Sequence, residues 1–285
     1  MFLKKLLRGY IWKRIFFERL TEPLHLNLLS FWVMVFGSFR AKVEFDLVLR
    51  CQHAYSLLKA ADRAKGLGLE SVTVIEFGVA AGAGLMNLAK VAAKVTRLTG
   101  VEIRICGFDT GLGMPPPQSY RDHPDLYQEG DFKMDVAALR AALPANCHLV
   151  IGEVETTVPR FLEELSDASP LGFISIDVDY YYSTKQALRI LSGPPSKYLP
   201  KVAVYLDDLE DESHNSYCGE LLAVREFTDS HEFRKIEKHA FLRSYRIFRN
   251  ARWIDHIFTA HILDHPTRST LRQSRQSVTL SNPYL

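Results

Sequence analysis

Between residues 71 and 206, short and nearly continuous apolar runs alternate with stretches whose apolar positions recur at helical spacing. The runs at 72–77, 103–108, 148–151, 172–176 and 202–206 predict strands. The stretches at 85–99, 136–142, 158–165 and 183–191 predict helices between them. Apolar strands without polar alternation are buried on both faces, as in a parallel sheet covered by helices on either side. After a further helix at 219–230, segments 233–239 and 243–248 predict a closing strand pair. Upstream, apolar positions repeat with helical period over 43–65 until Gly66 and Gly68 close the run. The apolar stretch 28–39 is too short for the roughly 20 residues a membrane-crossing helix needs; it reads as a buried or partly interfacial segment. The pattern predicts one doubly wound, Rossmann-like α/β domain over 69–265, with parallel strands and a C-terminal antiparallel strand. A helical extension at 1–68 precedes it. The polar, basic tail 266–285 is expected to be poorly ordered.

Composition narrows this picture. Of the 285 residues 47% are apolar and 24% charged, which excludes a disordered or collagen-like chain. The net charge of +2 leaves no global field to attract nucleic acid, and none is expected as a partner. The charge is uneven, however. Residues 1–20 carry Lys4, Lys5, Arg8, Lys13, Arg14 and Arg19 against Glu18 alone, with Leu3, Leu7, Tyr10, Phe17 and Leu20 near helical spacing. Such a helix either packs on the body of the protein or makes peripheral contact with an anionic membrane; homo-oligomerisation is also compatible. Cys51, Cys106, Cys147 and Cys218 are widely spaced and match no zinc pattern, so reduced thiols in a cytoplasmic protein are the expectation.

Two constellations carry chemistry. The first predicted strand runs into Glu76-Phe77-Gly78-Val79-Ala80-Ala81-Gly82-Ala83-Gly84 and then a helix. In a doubly wound sheet this turn sits at the carboxyl end of the strands, where ligands bind. A dinucleotide turn requires a further glycine where Asn87 stands. The spacing acid-x-Gly-x-x-x-Gly-x-Gly instead resembles motif I of class I S-adenosylmethionine (SAM) methyltransferases. Asp109 ends the second strand, where a carboxylate can accept from both ribose hydroxyls, or else cap a turn.

The second constellation is acidic. The fourth strand ends in Asp177-Val178-Asp179 and the fifth in Asp207-Asp208. In a 3-2-1-4-5 order these ends are neighbours, about 5 Å apart. Carboxylates that close repel unless protonated or bridged by a cation. With no His or Cys beside them, they suit Mg²⁺ better than Zn²⁺. Glu210, Asp211 and Glu212 read as a solvated loop.

From about residue 74 to 227 the chain resembles the macrocin O-methyltransferase (TylF-like) family of metal-dependent class I enzymes. The resemblance runs through Glu76–Gly84, Phe108-Asp109-Thr110 to Met114-Pro115, Gly152 to Thr157-Val158-Pro159, Asp177-Val178-Asp179-Tyr180-Tyr181-Tyr182-Ser183-Thr184, and Asp207-Asp208 with Tyr217-Cys218-Gly219. It implies SAM-dependent methylation of a sugar hydroxyl on an acceptor with a vicinal diol. Asp177, Asp207 and Asp208 would hold Mg²⁺, and Asp179 would be the general base. Glu76, Gly78, Gly82, Gly84, Asp109 and Glu153 would contact SAM. The chain departs from the family at Leu209, where an aromatic is usual, and at the Gly111-Leu112-Gly113 and Pro115-Pro116-Pro117 loop. Loop 114–132, with Tyr120, Arg121, His123 and Tyr127, is the candidate acceptor lid, and His214 a candidate substrate contact. Two rivals remain: a non-catalytic SAM-fold assembly protein, and an NAD(P)-dependent oxidoreductase.

Overall fold

The computed structural model describes residues 15–209, 214–269 and 279–282. Most of the basic N-terminal segment, the acidic loop at 210–212 and most of the C-terminal tail therefore lie outside the described residues.

The centre is a seven-stranded sheet built from β1 (Ser71–Phe77), β2 (Glu102–Asp109), β3 (Cys147–Ile151), β4 (Leu171–Ile176), β5 (Tyr198–Leu206), β6 (Arg234–Lys238) and β7 (Ile257–Ile262). Their order is β3-β2-β1-β4-β5-β7-β6. The first five are parallel, and β7 runs antiparallel to both β5 and β6. This is the doubly wound α/β class expected. Every residue of β1 and of β4 is buried, as strands covered on both faces must be.

The helices are α1 (Leu24–Phe36), α2 (Phe39–Glu44), α3 (Cys51–Gly66), α4 (Ala83–Thr99), α5 (Val136–Ala142), α6 (Val154–Glu164), α7 (Tyr181–Leu188) and α8 (Gly219–Ser230). The alanine-rich side of α3, with Ala54, Leu57, Ala60, Ala61 and Ala64, lies fully inside one core cluster, on the same side of the sheet as Leu85, Leu88 and Ala92 of α4. The opposite cluster is closed by Val158, Leu188 and Leu222 from α6, α7 and α8. Among the described residues no helix is long and apolar enough to cross a membrane.

Three expectations need correction. The helical run over 43–65 breaks at 45–50, where Asp46 and Arg50 both take left-handed φ, at 52° and 49°. Burial explains the break. Arg246 reaches in from far along the chain, bonds the Val43 and Glu44 carbonyls, and pairs with the buried Asp46 carboxylate at 2.8 Å. The same contact explains why 243–248 forms no strand. Its alternation is genuine, but Arg246 is drawn inward to Asp46, and Leu242–Tyr245 forms a helical turn instead. The strand that pairs with β5 and β6 is β7. Finally, of the two readings of segment 28–39 the buried one is excluded: in α1 only Ser30 and Val33 are buried, and most of its large apolar side chains face outward.

Candidate active site

The parallel register aligns five strand ends in one row. Gly78 N–H donates to the Phe108 carbonyl, Asp177 N–H to Phe77, Asp207 N–H to Ile176, and Gly152 N–H to Asp109, all at 3.0 Å. Above this row opens a cavity of about 500 Å³. Glu76, Gly78, Gly84, Asp109, Glu153, Asp177, Asp179, Asp207 and Asp208 all line it. Gly82 does not; its missing side chain is required by Leu139 of α5, which a Cβ would meet at 2.4 Å.

At one end the backbone is moulded tightly. Gly78 has φ 80°, and a Cβ there would stand 1.7 Å from the Asp177 carbonyl oxygen. A Cβ on Gly84 would lie 2.0 Å from Glu76 Oε1, so the Glu76 carboxyl is tucked against the first turn of α4. Glu76 is buried and its Oε2 has no hydrogen-bond partner. Burial first, then nearby Asp177, push its pKa well above the ordinary carboxylate range. Asp109 differs. Its Oδ2 accepts from the Val79 and Ala80 amides, both at 2.9 Å, and its Oδ1 from Gly111 N–H at 2.7 Å. This carboxylate holds the glycine-rich turn in shape while facing the cavity. Glu153, just before α6, is exposed at the rim.

At the other end carboxyls crowd together. Asp179 takes φ 56°, a left-handed conformation that Asp tolerates better than most residues, and it turns the chain between β4 and α7. The Asp179 and Asp208 carboxyls are neighbours in the cavity wall, each acting on the other's ionisation. Burial, then Asp207 and Asp179, push Asp177 up to about 8. Burial, then Asp179, Asp177 and Asp207, push Asp208 up to about 9. Asp179 is also raised, first by burial, although hydrogen bonds from Tyr127 and Asp208 oppose this. Tyrosines brace the cluster. Tyr205 donates to Asp207 Oδ1 at 2.5 Å, and Tyr127 donates weakly to Asp208 Oδ1 at 3.4 Å.

These are oxygen-only donors, and Asp208 Oδ2 is buried without a hydrogen-bond partner. Such a donor set fits a hard divalent cation, which would relieve the repulsion that raises these pKa values. The acids are held by the tyrosines and by each other, however. Among the described residues no three His, Cys, Asp or Glu side chains form a ready-made metal cage.

Several participants carry no motif. Glu220, in the first turn of α8, is buried beneath the aspartates. Its Oε2 accepts from Asp208 N–H at 3.4 Å, and burial, then Asp208, raise its pKa strongly. Arg50 is the one Lys or Arg among the described residues lining the cavity. Its positive charge favours ionisation of both Glu76 and Asp177. The left-handed turn that aims it is invisible to periodicity.

Loop 114–132 is pinned rather than loose. Buried Asp122 accepts from Gln118 N–H and, at 2.9 Å, from Tyr182 N–H in the first turn of α7. Arg121 donates to the Tyr181 hydroxyl at 3.4 Å, while Tyr120 faces solvent. His123 is buried, with its ring against that of His214 at 4.8 Å between centroids. His214 thus packs against the loop.

No protein-family model matches the chain, and no curated protein matches it significantly. Among solved structures, the calicheamicin methyltransferase CalS11 is similar at 21% identity and TM-score 0.47, covering 72% of this chain and 83% of that one. An apo structure of CalS11, titled a TDP-rhamnose 3'-O-methyltransferase, is similar at 21% identity and TM-score 0.37, covering 72% and 84%. An rRNA methylase from Streptococcus thermophilus is similar at 12% identity and TM-score 0.35, covering 73% and 97%. All three are distant likenesses, below the level at which a shared activity follows.

Proposed function

We propose that the chain is a SAM- and Mg²⁺-dependent O-methyltransferase that methylates one hydroxyl of a vicinal diol on a sugar or glycosylated acceptor. One observation carries the reading. A single cavity joins a glycine-moulded turn, suited to close approach by a nucleoside-like cofactor, to a crowd of strand-end aspartates.

SAM would supply an electrophilic methyl group, and Mg²⁺ held by Asp177, Asp207 and Asp208 would acidify the acceptor hydroxyl. The remaining work falls to this chain's side chains. Asp109 fixes the turn that frames the cofactor half of the cavity. Buried Glu76 offers an oxygen to the ammonium of the cofactor's amino-acid end, and Arg50 a guanidinium to its carboxylate; together they read the zwitterion. Glu153, exposed at the rim, would offer its carboxylate to the adenosine of the cofactor. Asp179 accepts the proton of the hydroxyl being methylated. Asp179 lines the same cavity as Asp177, Asp207 and Asp208, which puts this carboxylate beside the residues that would hold the metal. Tyr127 and Tyr205 orient Asp208 and Asp207, and pinned loop 114–132 keeps water from one side of the reacting oxygen.

The test is transfer of labelled methyl from SAM to a panel of nucleotide sugars, with Mg²⁺ or with EDTA. Transfer only to acceptors with adjacent free hydroxyls, abolished by EDTA, is expected. Metal-independent transfer, or transfer to isolated hydroxyls as readily, would contradict it.

A further inference from the structure

Helix α1 is mounted inside out. Its body-facing stripe is Leu26, Asn27, Ser30 and Val33, half of it polar, while Leu24, Leu28, Leu29, Phe31, Trp32, Met34, Val35 and Phe36 are exposed. Phe31, Trp32, Val35 and Phe36 are between 62% and 69% exposed. Upstream of it Phe16, Phe17 and Leu20 are exposed as well. An amphipathic helix of a water-soluble surface does the reverse.

The mounting is specific. Asn27 donates to the Arg19 carbonyl at 2.8 Å, and Ser30 Oγ accepts from Arg19. Arg19 itself reaches the body, donating to the Phe45 carbonyl at 2.6 Å with its guanidinium 3.7 Å from the Phe248 ring centroid. Glu22 accepts from the Arg249 and Asn250 amides. The polar groups of this segment are thus spent on holding it to the domain with the apolar face outward.

We infer that this face docks onto an anionic lipid bilayer, with α1 lying in the interface. Charge selects this occupant. Residues 1–43 contain two acids, Glu18 and Glu22. Glu22 is turned to the body, and Glu18 lines a small cavity with Arg50, Gln52 and Trp253. The five basic side chains of residues 1–14 and Lys42 flank the apolar face in sequence with no acid between 23 and 43, while Arg40 is paired with Asp62 at 2.7 Å. Anionic headgroups complement that combination. A second copy of the same face would bring like charges together. At 13 residues α1 is about 20 Å long, too short to span a hydrocarbon core of about 30 Å, so it lies along the surface. Docking stands apart from the proposed chemistry, because none of the exposed α1 residues lines the cavity.

The test is sedimentation of the full chain with vesicles of phosphatidylcholine alone or with 30% phosphatidylglycerol, chosen at about that fraction to give a clear negative surface potential. Binding to the anionic vesicles is expected, weakened by salt, with a blue shift of emission in a Trp12→Phe variant, where Trp32 remains with buried Trp253. A Phe31→Glu/Val35→Glu variant, with unchanged circular dichroism and thermal midpoint, should lose at least about tenfold in partition, on the scale of two apolar contacts replaced by charges. No sedimentation by the wild type would overturn the proposal. So would a concentration-dependent dimer that the double variant dissolves, which would assign the face to a second copy. Stronger vesicle binding after deletion of residues 1–14 would assign it to the chain's own N-terminus.

Discussion

Asp109 and Asp177 end adjacent regions of one sheet and line one cavity, yet they are opposites. Asp109 accepts three backbone N–H groups, and the turn it braces is complete without any ligand. Asp177 faces Asp207 and Asp179 and is pushed toward the neutral form by them and by burial. The turn around Asp109 is therefore finished by the fold, with buried Glu76 beside it keeping one oxygen unpartnered, whereas the aspartate end is crowded with like charges. The same side chain at the same topological place is structural where backbone amides converge on it and reactive where carboxylates do. An unbalanced cluster of this kind persists only if something bound in function repays it.

The largest effect should come from the unbalanced end. Asp179→Asn keeps the shape but removes the base, and a loss in kcat of about 10²- to 10⁴-fold is expected. SAM affinity should stay within about threefold, on the scale of a surface substitution. A drop confined to KM would show that Asp179 only binds the acceptor. At the finished end, Gly84→Ala places a Cβ against Glu76. It should cost about 1–3 kcal/mol in denaturant unfolding and weaken SAM binding. Glu76→Ala in the same chain should recover part of that stability, and no recovery would separate the two residues.

The pH dependence is the most diagnostic of these effects. Burial and the neighbouring aspartates push Asp177 up to about 8 and Asp208 up to about 9 in the fold, against about 3.9 in the unfolded chain. Their folded pKa values are raised, so their contribution to stability is complete below the unfolded pKa. It is lost as pH rises through the folded values. In EDTA the thermal midpoint should fall between about pH 6 and 9. Asp208→Asn should flatten that slope, and Mg²⁺ should restore stability most at the alkaline end. A flat profile, equally insensitive to Mg²⁺, would remove the electrostatic contrast between the two ends.

How much of this was legible in the sequence follows from what each feature depends on. Strands β1 to β5 and the helices between them were readable because apolar runs mark strands that are fully buried, as β1 and β4 are, or partly so, as β2 and β3 are. So were Asp177, Asp179, Asp207 and Asp208, because strand ends fix where acids meet. Strand β7 was missed: its position depends on Arg246 turning inward to Asp46, a contact between residues 200 apart in the chain. Glu220, Arg50 and Asp122 carry no motif; each acts through a turn or helix start that brings one charge to the cluster or its loop. Helix α1 shows another limit. An apolar run announces burial somewhere, but only the polar anchors Arg19, Glu22 and Asn27 reveal that its apolar face points away from the domain.

The central claim, that this cleft pairs a preformed SAM site with an aspartate-held metal site, is tested most directly by calorimetric titration. SAM and then Mg²⁺ would be added to the wild type and to an Asp207→Asn/Asp208→Asn variant. SAM binding by both proteins, with Mg²⁺ binding by the wild type alone, is the expected result. SAM binding without Mg²⁺ binding by the wild type, even with a diol acceptor present, would contradict it.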